Sequence, residues 1–416
     1  MKVDTTAGLT AEGCRARQAR LRELARAMQL DAVLLLDPRH VHYFTGHWGR
    51  AVFKPILLVP AESASVLVVP YAVEASPGAE VVLVTDGVRH GTLVDDQLLT
   101  AIAALRAHRL GKARAIGYDC QPPPGSFDAM HDVGAGLLAM RRRKDADEIE
   151  LIRRGIRGCE VAYAAAPAFV RPGVTETDVY AELHRTAVRA VGEPIGEFGN
   201  DFQSGTPGGP PRRRAIEAGE LVPLDLSVVV RGYSSDLCRT FAVGGEPSAA
   251  QREAHCVVVD AIERVERKLK PGTSCRALHA EIAAAIDGHR GWRFPHHLGH
   301  GSGLSAHEAP RLNPRWDDIL QEGDVFTIEP GLYGDELRGG VRVEQDYLLT
   351  ADGAVLLSSF PTVMYIDRRG AADTPFGNDA SCLHTGAIRS PQTGTLAVGG
   401  DGRGAGSCRP SSRRRY

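Results

Sequence analysis

Asp225-Leu-Ser-Val-Val-Val-Arg-Gly-Tyr-Ser-Ser-Asp236 reads as a β-hairpin turning around Arg231-Gly232, with an aspartate at either end. A two-residue loop pairs Val230 with Tyr233 and sets the aspartates diagonally across the ladder. A four-residue loop pairs Val228 with Tyr233 and sets them directly opposite. In either register both carboxylates leave the same face of the hairpin, within reach of a shared cation. Two such charges repel each other, and burial makes the repulsion worse. A divalent metal removes the conflict.

Three more candidate ligands follow. His300 lies in Gly299-His-Gly-Ser-Gly303, where glycines let the backbone turn tightly. Glu329 ends the strand Val325-Phe-Thr-Ile-Glu329 and is stopped by Pro330-Gly331; Glu344 closes Val341-Arg-Val-Glu344. Four carboxylates and one imidazole balance two divalent cations. An oxygen-rich set with one nitrogen suits Mn²⁺, Co²⁺, Fe²⁺ or Zn²⁺, with manganese the expected ion. Two such ions roughly 3.5–4 Å apart activate a bridging water and clamp the oxygens of a reacting carbonyl. Taken singly, an acidic residue at a strand end is ordinarily a solvated turn residue. His296 and His300 also have the spacing of a helical zinc pair, but Pro295 and Gly299 oppose a helix there. The glutamate expected after the first histidine is missing as well.

Around these residues the chain has the makings of two domains. Its 416 residues exceed what one core usually holds, and 43% hydrophobic with 24% charged residues is an ordinary globular balance. A net charge of −2 offers no basic field for nucleic acid or an anionic membrane. Residues 1–13 lack an apolar core of signal-peptide length, and Pro55 to Val73 breaks into strands Ile56–Val59 and Val66–Val69. The eight cysteines contain no Cys-x-x-Cys pair, which predicts reduced thiols and a cytoplasmic protein.

Leu21, Leu24, Ala25 and Met28 recur at helical spacing, and Asp31 to Leu36 follows as a buried strand, so residues 1–140 form an α/β domain with a mixed or parallel sheet. The charged run Arg141 to Glu148 marks the boundary to a second domain, 141–366. A helix begins there with Asp145 as N-cap and Glu148 three residues on, striped by Ile149, Ile152, Ile156, Cys159 and Tyr163. It ends at Arg171-Pro-Gly173, before a helix from Thr175-Glu176. About a hundred residues later the pattern returns. A helix opened by Ser248-x-x-Gln251 and striped by Val258, Ile262, Val265 and Leu269 ends at Lys270-Pro-Gly272. The next helix carries Leu278, Ile282 and Ala285. Two similar halves would enclose one cleft. From 367 to 416 the Gly-, Ser- and Arg-rich sequence predicts a disordered tail.

With these blocks in this order, the chain resembles the pita-bread metallopeptidases: Xaa-Pro aminopeptidases, prolidases and their methionine aminopeptidase relatives. The resemblance rests on Leu224-Asp225, Gly232-Tyr-Ser-Ser-Asp-Leu-Cys-Arg-Thr240, His296-x3-His-Gly-x-Gly-Leu304 with His307, Ile328-Glu-Pro-Gly-Leu-Tyr333 and Gly340-Val-Arg-Val-Glu344. More weakly, Val41-His-Tyr-Phe-Thr-Gly46 is similar to the creatinase-type amino-terminal domain. The fold this implies is α+β: a C-terminal pita-bread domain preceded by an α/β creatinase-type domain. The implied ligands are Asp225 on one metal, Asp236 and Glu344 bridging, and His300 and Glu329 on the other. Glu329 would also act as general base. His296 and His307 would line the site and contact substrate, and Arg342 would steady the ligand carboxylates; for His296 and Arg342, structural support alone is the plainer reading.

One departure bears on substrate. The family's proline-specific members usually carry a catalytic histidine 17 residues before the first metal aspartate; here that position is Gly208, in Gly205-Thr-Pro-Gly-Gly-Pro-Pro-Arg-Arg-Arg214. Arg212, Arg213 or Arg214 could bring a donor into the gap, or be solvated surface residues. The resemblance implies a peptidase acting ahead of proline with reduced activity, and a histidine restored at 208 is expected to raise turnover. The rivals are hydrolysis or lysis of a small non-peptide molecule on the same scaffold, and a non-catalytic binding protein. A homo-oligomer, dimer or tetramer, is expected, with no nucleic-acid or membrane partner.

Overall fold

The computed structural model describes residues 8–49, 54–73, 76–85, 94–110, 115–122 and 129–366. The tail expected from 367 onward lies outside the described residues.

The first part contains α1 Ala11–Ala27, β1 Ala32–Leu35, α2 Pro38–Thr45, β2 Ile56–Pro60, β3 Val66–Val69, β4 Val81–Val84, α3 Val94–Leu105, β5 Ala115–Tyr118 and β6 Ala129–Asp132. The strands form one sheet in the order β4-β3-β2-β1-β5-β6. It is mixed: β2 runs antiparallel to β1 and β3, and the outer pairings are parallel. The central strands are apolar at nearly every residue because both faces are covered. Val33, Leu35, Leu57 and Val59 pack in one core with Leu21 and Ala25 of α1. Leu34, Leu58, Val66 and Val68 pack in another with Ala101 and Leu105 of α3. Cys14, Cys120, Cys159, Cys238 and Cys275 are free thiols.

The second part runs through α4 Gly134–Arg142, α5 Ala146–Ala165, α6 Glu176–Val191, β7 Leu221–Leu226, β8 Val229–Val230, β9 Tyr233–Ser234, β10 Leu237–Ala242, α7 Ala249–Glu266 and α8 Cys275–Ile286. Then come β11 Gly299–Gly301, β12 Glu308–Leu312, β13 Val325–Ile328, β14 Gly331–Gly334, β15 Gly339–Arg342, β16 Gln345–Thr350, β17 Gly353–Leu356 and β18 Tyr365–Ile366. Capping boxes form at both expected places, Asp145 with Glu148 and Ser248 with Gln251. Helix α7 stops earlier than expected, at Glu266, and the buried stripe of α8 continues into Ile286 while Ala285 is exposed.

The suspected repeat is present in the backbone hydrogen bonds. After the first Pro-Gly turn, Gly173 N–H donates to Ile216 O; after the second, Gly272 N–H donates to Leu320 O, both at 2.9 Å. The N-caps Thr175 and Ser274 bridge to Ala215 and Ile319. Gly219 N–H reaches Val243 O, and Gly323 N–H reaches Leu349 O, both at 2.8 Å. The charged run at the expected boundary begins inside α4 and is no loose linker. Arg141 and Lys144 each donate to Glu308 at 2.6 Å, Arg142 grips Asp324 with two bonds, and Asp145 and Asp147 accept from the fully buried Arg17 of α1. Among the described residues no helix is long and apolar enough to cross a membrane.

Candidate metal centre

The hairpin closes with the two-residue loop: Val230 pairs with Tyr233 and Val229 with Ser234. Arg231 and Gly232 both have positive φ, 48° and 84°, as a type I′ turn needs. The same register continues into β7 and β10, where Asp225 faces Cys238. Asp236, two residues before Cys238, is therefore diagonal to Asp225. Glu344 arrives between β15 and β16, its N–H donating to Cys238 O at 3.1 Å. One carboxylate oxygen each from Asp225, Asp236 and Glu344 lie within 4.8 Å of one another.

His300 is delivered by β11, which β12 and β13 flank closely. A Cβ on Gly299 would meet Thr327 O at 2.0 Å, and one on Gly301 would meet Ala309 O at 2.1 Å. The glycines beside His300 thus let three backbones crowd together, which turns the imidazole toward the acids. His300 groups with Glu329 and Glu344, and separately with Asp236 and His307. Its Nε2 is 3.4 Å from Glu329 and 3.7 Å from Asp236. Residues 296–298 are not helical, so the helical zinc pair is absent there.

All five side chains are buried. Each carboxylate also keeps one buried oxygen with no hydrogen-bond partner: Asp225 Oδ1, Asp236 Oδ1, Glu329 Oε1 and Glu344 Oε2. Such groups are costly unless something else satisfies them. Burial, then Glu344 and Asp225, push Asp236 well above the usual carboxylate range. Burial, then Glu329 and Asp225, do the same to Glu344. Burial lifts Asp225 to about 6 although Arg342 opposes it. Burial would lift Glu329 too, but His297 and His300 pull it down to about 2. Unpartnered oxygens converging on one space, with an imidazole that burial keeps neutral by lowering it to about 4, suit divalent cations. The donor set fits the group that the sequence implied.

Arg342 Nη2 donates to Asp225 Oδ2 at 2.7 Å and also to Asp201, and Nη1 donates to Tyr333 Oη at 3.2 Å. His296 Nε2 is 2.9 Å from the same Tyr333 hydroxyl, so it reaches the centre through that ring. His307 is exposed and stacks on His300, with centroids 3.6 Å apart. Its neighbour Glu308 is the residue held by Arg141 and Lys144.

Sequence reasoning missed His297, Asp201 and Asp346. His297 Nδ1 lies 3.0 Å from Glu329 Oε1, close enough for an ion pair but misaligned for a hydrogen bond. Its place in the His296-His297 pair was the available signal. Asp346 is fully buried, accepts the Asp236 N–H at 2.9 Å, and is pushed by burial to about 8. Asp201 occupies the region of Gly208: a Cβ there would stand 2.6 Å from its carboxylate carbon, and Gly208 has φ +158°. A side chain restored at 208 would have to displace that carboxylate. The arginines do not fill the gap either. Arg212 is bound to Glu176, Arg214 to Glu220 and Ser204, and Arg213 is exposed.

Residues 150–351 match the model of metallopeptidase family M24, and residues 17–136 match that of the creatinase/prolidase N-terminal domain. An uncharacterized peptidase of Staphylococcus aureus (strain MW2) is 30% identical over 346 residues, 80% of this chain and 95% of the relative. The prolidase from Pyrococcus horikoshii OT3 superposes with a TM-score of 0.68 at 26% identity, covering 84% of this chain and 100% of that one. The X-Pro aminopeptidase from Thermotoga maritima MSB8 gives 0.70 at 26% identity, covering 84% and 99%.

Proposed function

The chain belongs to metallopeptidase family M24, and from that premise we propose that it cleaves ahead of proline, as an Xaa-Pro aminopeptidase or an Xaa-Pro dipeptidase. The observation that supports this most is the set of four buried carboxylates, each with an unpartnered oxygen, three of which group with His300. In this reading Asp225 would hold one divalent ion and His300 and Glu329 the other, with Asp236 and Glu344 completing the ligand set. Two Mn²⁺ ions there would polarise the scissile carbonyl and make a water more acidic.

The remaining work falls to side chains. Glu329 is held down to about 2 chiefly by His297 and is ionised at neutral pH, so it can receive the proton of the attacking water. His307, stacked on His300 at the exposed side, is placed to hydrogen-bond the substrate carbonyl as charge develops on it. Arg342 fixes the orientation of Asp225, and Tyr333 joins Arg342 to His296.

The test is hydrolysis of Xaa-Pro dipeptides and longer Xaa-Pro peptides by purified protein with Mn²⁺ or with a chelator. Metal-dependent release of the residue before proline supports the reading, and the peptide length that is preferred divides aminopeptidase from dipeptidase. A second reading, a small non-peptide substrate, is favoured by Gly208, whose missing side chain is replaced by the Asp201 carboxylate. Two bound metals without cleavage of any Xaa-Pro peptide would make it the better one.

A further inference from the structure

We infer that Asp201 is a positioning residue for the metal centre: seated against the Gly208-Gly209 backbone, it shares the charge of Arg342 and so leaves Asp225 free to hold its ion. This rests on the proposed metal site and concerns how one of its ligands is kept available.

Arg342 is buried, and one nitrogen, Nη2, donates to both Asp225 and Asp201. A guanidinium committed to Asp225 alone would be a competing cation, neutralising the carboxylate that the metal needs. Attraction between such charges is strong where water is excluded. A second carboxylate of equal charge on the same nitrogen divides that attraction. The geometry fits a divided role: Asp225 Oδ2 takes the arginine while Oδ1, buried, has no partner.

Asp201 is built into this place from three directions. Its backbone pairs with that of Asp225, through Asp225 N–H to Asp201 O at 3.1 Å and Asn200 N–H to Asp225 O at 3.2 Å. Its Oδ1 accepts the Gly209 N–H. The absence of a side chain at 208 leaves room for the carboxylate, since a Cβ would come within 2.6–2.7 Å of all three of its atoms. Asp201 therefore moves with Asp225, and Gly208-Gly209 is the seat that holds its side chain toward Arg342.

The experiment uses metal-stripped full-length protein, wild type, Asp201→Asn and Gly208→Ala, each checked for folding by circular dichroism. Mn²⁺ binding is measured by calorimetry, and Co²⁺ binding by its visible absorption bands, which report the ligand field directly. Asp201→Asn keeps the shape and removes the charge; it should weaken one of the two ions by about 10–100-fold, the range for a lost partner of a metal ligand, and change the Co²⁺ bands. Gly208→Ala keeps the carboxylate but occupies its seat, and should weaken the same ion. In an Arg342→Met background, Asp201→Asn should lose most of its effect, because the arginine through which it acts is gone. Should Arg342→Met not fold, Gly208→Ala carries the test. Wild-type affinity and spectra in both folded single variants would overturn the inference while leaving the metal site standing. An undiminished effect of Asp201→Asn without Arg342 would overturn it too, since Asp201 would then act on the ion directly. Wild-type protein that binds no divalent ion would remove the metal site and this inference together.

Discussion

The two halves of the second domain share a backbone and divide the chemistry. Matching their hydrogen bonds sets Gly219 on Gly323, Glu220 on Asp324 and Asp225 on Glu329; across the ladder, Val243 falls on Leu349 and Cys238 on Glu344. Each half even closes the turn before its strand alike. Glu217 N–H donates to Glu220 and Gln321 N–H to Asp324, and an arginine then grips the acid, Arg214 in one half and Arg142 in the other. In this alignment Asp236 falls on Arg342. The first half thus contributes two aspartates, and the second two glutamates, the arginine and the histidines. The equivalent acids are tuned in opposite directions: Asp225 is lifted to about 6, and Glu329 is drawn down to about 2. A repeated scaffold sets where side chains point, and the residues at equivalent places decide whether a position needs a cation or can serve as a base.

The largest effect should come where the halves meet. Asp236 and Glu344 come from different halves, yet both are raised and each has an unpartnered oxygen. Asp236→Ala and Glu344→Ala should each lose most bound metal and reduce peptidase activity to background. Elemental analysis showing full occupancy in both would refute their place among the ligands. Next in size, Glu329→Gln should lower kcat by about 10²–10⁴, the scale of a lost general base. Its equivalent Asp225→Asn should act mainly through metal affinity and recover much of its turnover at saturating Mn²⁺. Equal, metal-insensitive losses would mean the two positions are chemically alike.

Much of this was legible because the signals were local. The aspartate parity needed only a turn and a period of two, and both hairpin registers gave the same face. The capping boxes at Asp145 and Ser248 followed from residues three apart. What could not be read was set by long-range approach. Asp201 belongs to no regular element and acquires its role only by pairing with Asp225 and filling the space over Gly208. The charged run Arg141 to Glu148 read as a boundary, but its bonds to Arg17 and Glu308 could not be read, because both partners are distant in sequence. The end of α7 was misplaced because Leu269 remains buried beyond the last helical turn.

A smaller effect separates crowded acids from satisfied ones through pH. A carboxylate raised in the folded state gives stability that is present below its unfolded value, near 4, and lost as pH rises through the folded value. Asp236 and Glu344 are of this kind, as are Glu148 at about 7 and Asp346 at about 8. Glu329, depressed to about 2, has the opposite sign but acts only below its unfolded value. Buried His296 and His300, lowered to about 4, favour higher pH only up to about 6.5, the unfolded histidine value. Metal-free protein should therefore melt at a lower temperature at pH 8 than at pH 6.5. Mn²⁺ should shrink that difference by satisfying Asp236 and Glu344, without abolishing it, because Glu148 and Asp346 are not among its ligands. A melting temperature that rises over this interval would show that the acids are not crowded as described.

The smallest effect probes the shared scaffold alone. Thr175 and Ser274 occupy equivalent N-caps, each accepting a backbone N–H three residues on, Asp178 at 3.2 Å and Ala277 at 3.1 Å. Each hydroxyl also bonds a carboxylate, Asp178 for Thr175 and Asp317 for Ser274. Neither residue is in the candidate centre. Replacing a capping hydroxyl by alanine leaves one N–H of the first turn without its partner and typically costs about 1 kcal/mol. Thr175→Ala and Ser274→Ala should therefore lower stability by similar amounts in chemical unfolding, with metal content and turnover unchanged. The carboxylate bonds are exposed and should add little. If one cap mattered much more than its counterpart, the backbone likeness would be superficial, and stability as well as chemistry would be divided unequally between the halves. If both mattered equally but one also lowered metal content, that helix start would be holding the centre in place, and the separation between scaffold and chemistry would fail on that side.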